Sequence, residues 1–441
     1  MKETSVKYPF LTRDVKIYEQ DNGHKIVLAY KEGGMANVSS WVKTGSINEN
    51  DKNNGISHFL EHLMFKGTHK HPAGEFDHIL EARGGIVNAA TWKDYTFYYV
   101  TLPKGENDEN FHLAIDLHAD MMIDPVVPDY EMGAPFDVND KTVTDKRERH
   151  VVIEEIRMRQ DQPWTKVYNA TNHAMYSEHP YKRDVIGTPE IISQVSQEEI
   201  MNYYRTFYSP QNVTTIIVGE FDFDDVLNRV VKAFNWGERP TPPERNIGPD
   251  KPVNETVYIE NEANINSAFM MFGYLGVPAR DLKNLIALDM LAIILGEGTS
   301  SRLYTNLVEN IDEQIFNMIS AVSYSFRDGS NFFIQANMNP QYKDKAVELV
   351  KEEIEKLKEG ITERELNKAK KKLKSQFACE VETVSEIGES IGYYMTVCDD
   401  LDLAEQYIPL CNSITADDLI EAAKKYLNIN NAVVSVLVPK K

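Results

Sequence analysis

Apolar residues recur along the chain with a period of two in some stretches and near 3.6 in others, which predicts a mixed α and β protein. Residues 15–18 and 26–30 flank Asn22-Gly23, the dipeptide that best fits a tight two-residue turn, and predict a hairpin. Strand-like runs follow at 36–45, 86–91 and 96–102, and helical segments such as 111–122 separate or follow them. The alternation returns later in the chain, with a strand at 269–274, a helix at 282–295 and strands at 317–326 and 331–338. This order predicts, in each half, a mostly antiparallel sheet with helices packed on one face.

The halves are copies of one another. VSQEEIMNYYRTFYSPQNVTTIIV from Val195 aligns without gaps with ITADDLIEAAKKYLNINNAVVSVLV from Ile414, an offset of 219 residues that sets Ser196 opposite Thr415. In each copy the hydroxyl residue is followed three positions later by an acid, Glu199 or Asp418, the spacing of a capping box at a helix start. Asn212 or Asn431 then precedes a Val- and Ile-rich run that reads as a strand. Five prolines interrupt residues 236–252, the expected linker. The expected organisation is therefore two homologous α+β domains, 1–235 and 253–441, joined by 236–252.

With 47 basic and 68 acidic side chains the 441-residue chain carries a formal charge of −21, which argues against a nucleic-acid partner. Its 42% hydrophobic content is that of a folded globular protein. Three cysteines, Cys379, Cys398 and Cys411, cannot build a disulfide framework, and a cytoplasmic setting is expected, or a periplasmic or secreted one for a chain whose leader has been cut away. No stretch has the uninterrupted apolar length of a membrane span.

In SHFLEHLMFKG, His58 and His62 stand four apart with Glu61 between them. On a helix that spacing turns both imidazoles to one face, within reach of one zinc ion, and Glu61 toward the same side. A carboxylate beside the metal but not bound to it can take a proton from attacking water and deliver it to a leaving amine. A catalytic zinc needs a third protein ligand, and the helical stretch 145–161 offers Glu148 and Glu155, two turns apart on one face, with Glu154 rotated off it.

The inverted HxxEH motif followed by VVIEEIRM resembles the M16 family of zinc peptidases, the inverzincins related to pitrilysin, insulin-degrading enzyme and the mitochondrial processing peptidase. NGHKIVL, GSINEN, GGIVNAATWKDYTFYY, HPYKRDVIGT and GEGTSSRLY extend the resemblance over nearly the whole chain. It implies a zinc endopeptidase with one zinc per chain, held by His58, His62 and Glu155, with Glu61 as general base and Glu148 supporting the site from beside it. It also implies that Asn88, Ala89, Ala90 and Thr91 form an edge strand on which an extended substrate peptide adds a further strand. The size matches the shorter bacterial branch, in which two such chains, identical or different, close on each other like a clamshell.

The chain departs from the family pattern in two places. Ninety-two residues separate His62 from Glu155, more than is usual, with the excess in the loop 130–145. The arginine and tyrosine that hold the substrate carbonyl in the family's second half are missing: Val308 stands at the first position and Ile315 or Phe316 at the second. A second, different M16-like chain is therefore the expected partner, ahead of a symmetric homodimer. A non-catalytic assembly subunit and a peptide-binding protein are the competing readings. His69, His71 and His78 read as surface residues of a loop marked by Pro72 and Gly74, and GEGTSSRLY lacks the ending of a phosphate cradle.

Overall fold

The hairpin forms where Asn22-Gly23 predicts it: β2 (Val15–Glu19) pairs antiparallel with β3 (Lys25–Tyr30), and Gly23 takes the positive φ of 88° that the turn requires. The structure, a computed structural model, describes residues 1–140, 142–310 and 312–440. Five more strands complete a seven-stranded sheet: β1 (Lys2–Val6), β4 (Met35–Val42), β5 (Ile86–Thr91), β6 (Thr96–Pro103) and β7 (Val213–Gly219). Their order is β1-β2-β3-β7-β4-β6-β5, with β3 and β7 the parallel neighbours and β5 at one edge.

One face of this sheet carries the main core. Ala36, Val38, Val42, Tyr98 and Val100 pack against Phe59, Leu60 and Leu63 of the Ile56–Met64 helix and Phe111, Ala114 and Ile115 of the Glu109–Ile123 helix, all at or near zero exposure. Each Val, Leu, Ile or Phe among them contributes about 1.5–3 kcal/mol by leaving water.

Two histidines lie fully inside this layer. His24 Nε2 is 2.9 Å from Thr215 Oγ1 and His118 Nε2 is 3.0 Å from Ser40 Oγ, and burial lowers both imidazoles to about 3. Unfolded histidine titrates near pH 6.5, so between about pH 6.5 and 3 the unfolded chain binds more protons than the folded one. Stability is thus expected to fall as the pH is lowered through that window, by about 1.4 kcal/mol per pH unit for each histidine. Urea midpoints across this range should show a flatter slope for His118→Gln than for the parent; equal slopes would remove His118 from the account.

The second unit has a five-stranded sheet of β8 (Val257–Ala263), β9 (Ala268–Leu275), β10 (Phe316–Phe326), β11 (Gly329–Met338) and β12 (Val433–Pro439). Its order, β10-β11-β9-β12-β8 with β8 and β12 parallel, reproduces β5-β6-β4-β7-β3 of the first. Both predicted capping boxes form: Glu199 N lies 3.2 Å from Ser196 Oγ and Asp418 N lies 3.2 Å from Thr415 Oγ1, at the starts of the Gln197–Phe207 and Ala416–Tyr426 helices. The chain is a duplicated α+β fold.

The compact units do not follow a single cut. The first comprises Met1–Arg157, Arg183–Arg245 and Ala378–Glu405; the second comprises Met158–Lys182, Asn246–Phe377 and Gln406–Lys441. The changeover at Arg245 and Asn246 falls inside the expected linker 236–252, but the simple domains 1–235 and 253–441 miss a reciprocal exchange of one helix. The Pro163–Met175 helix packs on β9 and β12, and the Val384–Tyr393 helix packs on β4 and β7. The contact surfaces explain the exchange. A Cβ on Gly392 would lie 2.0 Å from the Trp41 ring and one on Gly388 2.6 Å from Asn37 Oδ1, so bare glycine backbone lets this helix sit on the sheet face opposite the main core. Gly273 of β9 admits Met175 and Thr171 in the same way.

Candidate metal centre

The Ile56–Met64 helix starts where Asn53-Asn54-Gly55 turns the chain. Gly55 has φ 95°, and a Cβ on it would sit 2.6 Å from the Ile186 carbonyl oxygen, so glycine is required there. One turn on, His58 and His62 share a face with ring centroids 4.8 Å apart. The Glu148–Asp161 helix lies across from them, held by the buried Arg149. Its guanidinium donates to the carbonyls of Gly133, Ile192 and Val195 and stands 5.4 Å from the Phe59 ring centroid. Burial lowers Arg149 to about 10, and those three carbonyls offset part of the cost of enclosing its charge.

This packing brings Glu155 Oε2 to 3.7 Å from His58 Nε2 and 3.6 Å from His62 Nε2. Ligand atoms of the three residues all lie within 4.8 Å of one another. Donors bound tetrahedrally to one zinc ion at 2.0–2.2 Å stand roughly 3.4 Å apart, so two imidazole nitrogens and a carboxylate oxygen in this arrangement fit that ion. Glu154 is 68% exposed and pairs with Arg157 at 2.7 Å, away from the cluster.

Glu148 reaches the other side of His62: Oε2 is 3.2 Å from Nδ1, and Oε1 is 2.6 Å from Lys66 Nζ. With Nδ1–H donated to Glu148, Nε2 is the nitrogen left to bind a metal. Burial alone would raise the Glu148 carboxyl, but His62 and Lys66 outweigh it and hold it below its ordinary value. Burial likewise works against charge on His62, yet Glu148 and Glu155 overcome it and lift the imidazole to about 9. A dication would take the place of that proton among the same carboxylates.

Glu61 stands beside the cluster. Burial pushes its carboxyl up, opposed by a 2.6 Å hydrogen bond donated by Thr91 Oγ1. That bond ties the end of β5 to the Ile56–Met64 helix. Of the other residues expected on this strand, Ala89 packs toward the core, while Asn88 Oδ1 accepts from the Ala89 N–H at 2.9 Å. Asn88, Ala89, Ala90 and Thr91 all lie on β5, the edge strand of the sheet. His69 and His71 pair with Asp124 and Glu75, and His78 lies on the Glu75–Glu81 helix instead of in a loop. In the longer connection at 130–145, of which Lys141 lies outside the described residues, the Phe136 ring stacks on His150 at 4.2 Å, which seats the connection on the Glu148–Asp161 helix.

Sequence reasoning missed Lys66 and Arg149. Lys66 lies four residues after His62, one more helical step along the same side, and that spacing could have singled it out. Arg149 had no comparable signal, because its partners are backbone carbonyls far along the chain. In the second unit Ile315 and Phe316 are buried, and Arg302 grips Glu365 with Nε and Nη2 at 2.6 and 2.9 Å.

A duplicated α+β fold with two histidines and a glutamate converging beside a second, half-buried glutamate defines a candidate metallohydrolase. The insulinase (peptidase family M16) model matches residues 25–189 and the peptidase M16 inactive domain model matches residues 194–373, so the chain belongs to the M16 peptidase family. It is 29% identical over 427 residues to the zinc protease PqqE of Helicobacter pylori, covering 95% of this chain and 91% of that one. It is also 29% identical to the uncharacterized zinc protease YmxG of Bacillus subtilis, covering 84% and 85%. The crystal structure of a protease from Helicobacter pylori superposes with a TM-score of 0.85 at 27% identity, over 96% of this chain and 99% of that one. Among the described residues no helix is long and apolar enough to cross a membrane.

Proposed function

We propose that the chain is a zinc-dependent endopeptidase acting on short or unfolded peptides. The observation that carries the reading is the convergence of His58, His62 and Glu155 with Glu61 close by and Thr91 of the edge strand bonded to it. One zinc per chain would be held by the first three residues and would supply a water whose pKa is lowered to about 7 and a polarised carbonyl. Glu61 accepts the proton of the attacking water and passes it to the departing amine. Glu148 fixes the ring of His62 through Nδ1. The outer edge of β5 receives an extended substrate by main-chain hydrogen bonds, which excludes segments that remain folded.

A specific observation favours a qualification. Val308, Ile315 and Phe316 cannot donate a hydrogen bond from their side chains, and Arg302 is engaged by Glu365. Loss of a positioned donor of the kind these positions carry in the family lowers rate by about 10²- to 10³-fold. The chain therefore works best with a second, different M16-like chain that supplies those donors; a homodimer is the alternative, and a non-catalytic or peptide-binding subunit is the reading left if no cleavage occurs. Measuring zinc content and cleavage of unstructured peptides with and without chelator tests the main proposal: a stoichiometric, chelator-sensitive activity is expected, and a metal-free protein would end it. Adding the product of a neighbouring homologous gene tests the partner, since full activity of the chain alone, unchanged by that product, would eliminate the heterodimer.

A further inference from the structure

The helix that carries His58, Glu61 and His62 begins without a side-chain cap of its own, because its N-cap residue is Gly55. A helix start leaves four N–H groups without partners inside the helix. Here Ile56 N donates to the Asn53 carbonyl at 3.0 Å, and the acceptors for Gly55 N and Ser57 N come from Glu49, six residues before the cap. Its Oε2 lies 2.7 Å from Gly55 N and 2.7 Å from Asn54 Nδ2, and its Oε1 lies 2.9 Å from Ser57 N. The residue is only 5% exposed. A carboxylate so buried is tolerated because N–H donors surround it, and it stands at the positive end of the helix dipole.

The segment that carries Glu49 also fixes the far side of the site. Ser46 N and Ile47 N donate to the carbonyls of Trp92 and Lys93, 3.3 and 2.9 Å away, in the loop that leaves Thr91. The Tyr203 hydroxyl lies 2.7 Å from Thr44 Oγ1 and 2.7 Å from Ser57 Oγ. Asn54 Nδ2 donates a second bond to Asp184 O, and Arg183 Nη1 donates to the carbonyl of Glu49 itself, at 2.8 and 2.9 Å. Metal helix and edge strand are thus registered on one short turn, Ser46–Asn48, and Glu49 is its last link to the helix.

We infer that Glu49 is a positioning residue for the metal centre: its carboxylate sets where the Ile56–Met64 helix begins, and so how His58 and His62 are presented to Glu155, without touching the metal. The inference rests on the zinc reading above. Replacement by Gln keeps size and burial but turns one acceptor oxygen into an NH2 group facing N–H donors, which pushes the first turn away. A purely structural carboxylate would lower the melting temperature and leave metal affinity alone.

The test compares zinc affinity by chelator competition, and the absorption spectrum of the cobalt(II)-substituted protein, for the parent, Glu49→Gln, Asn54→Ala and Gly392→Ala at a temperature where each is folded by circular dichroism. Glu49→Gln is expected to bind zinc about 10- to 100-fold more weakly and to alter the cobalt spectrum, with Asn54→Ala shifted in the same direction by less. Gly392→Ala, which collides with Trp41 far along the chain from the ligands, is expected to lower the melting temperature and keep the parental affinity. Should Glu49→Gln fail to fold, Asn54→Ala decides. Parental affinity within about twofold in the deciding variant would overturn the inference while leaving the zinc reading intact. A parent that binds no zinc would overturn that reading itself, and this inference with it.

Discussion

Glu61→Gln protein is expected to hold zinc as tightly as the parent and to cleave peptides about 10²- to 10⁴-fold more slowly. The amide keeps the shape of the side chain and can still accept the 2.6 Å hydrogen bond from Thr91, so the site should assemble unchanged. What it lacks is the capacity to take a proton. The parental carboxyl is drawn upward by burial, which makes it a better base toward water near neutral pH than an exposed glutamate would be. Zinc content by elemental analysis and kcat on a fluorogenic peptide check both halves of the expectation. Parental kcat in the variant would rule out Glu61 as the base, and loss of zinc would place it among the ligands.

A comparably large effect should separate two adjacent glutamates. Glu155→Gln is expected to empty the site on dialysis, because it leaves two imidazoles where a zinc ion needs three protein ligands. Glu154→Gln is expected to retain about one zinc per chain, because Glu154 points to solvent and pairs with Arg157 on its own helix. An exposed pair of that kind contributes about 0–1 kcal/mol, so the second variant should also keep its stability. Metal loss in Glu154→Gln alone would mean that the ligand helix is one residue out of register.

That His58, His62 and Glu155 could come together was legible in the sequence, and the reason is geometric. His58 and His62 at i and i+4, and Glu148 and Glu155 at i and i+7, each mark one face of a helix, so spacing alone brings the members of each pair together. The hairpin at Asn22-Gly23 and the capping boxes at Ser196 and Thr415 were equally local signals, and each formed at the position its residues indicate. What escaped was set by partners distant in sequence. β1 reads KETSV and β8 reads VYIENEA, edge strands too polar to show an apolar period. Arg149 is held by carbonyls from two separate connections, and Glu49 fell in a segment, GSINEN, that carried family likeness but no chemistry of its own until the turn folded it against Gly55 and Ser57. The helix exchange left no compositional mark, since an amphipathic helix does not announce which sheet it will cover.

That exchange separates the unit of ancestry from the unit of folding. The stretch that was copied is about half the chain, yet neither half owns a complete set of layers: the helix covering β4 and β7 is encoded beyond residue 377, and the one covering β9 and β12 directly follows the helix of Glu155. A ribosome delivering this chain from its N-terminus has made every candidate zinc ligand long before it makes residues 384–393, which shield the back of their sheet. Fragments severed between Arg245 and Asn246 would each present one bare sheet face and one helix with nowhere to lie, so a split protein should regain its fold only when both pieces are present together.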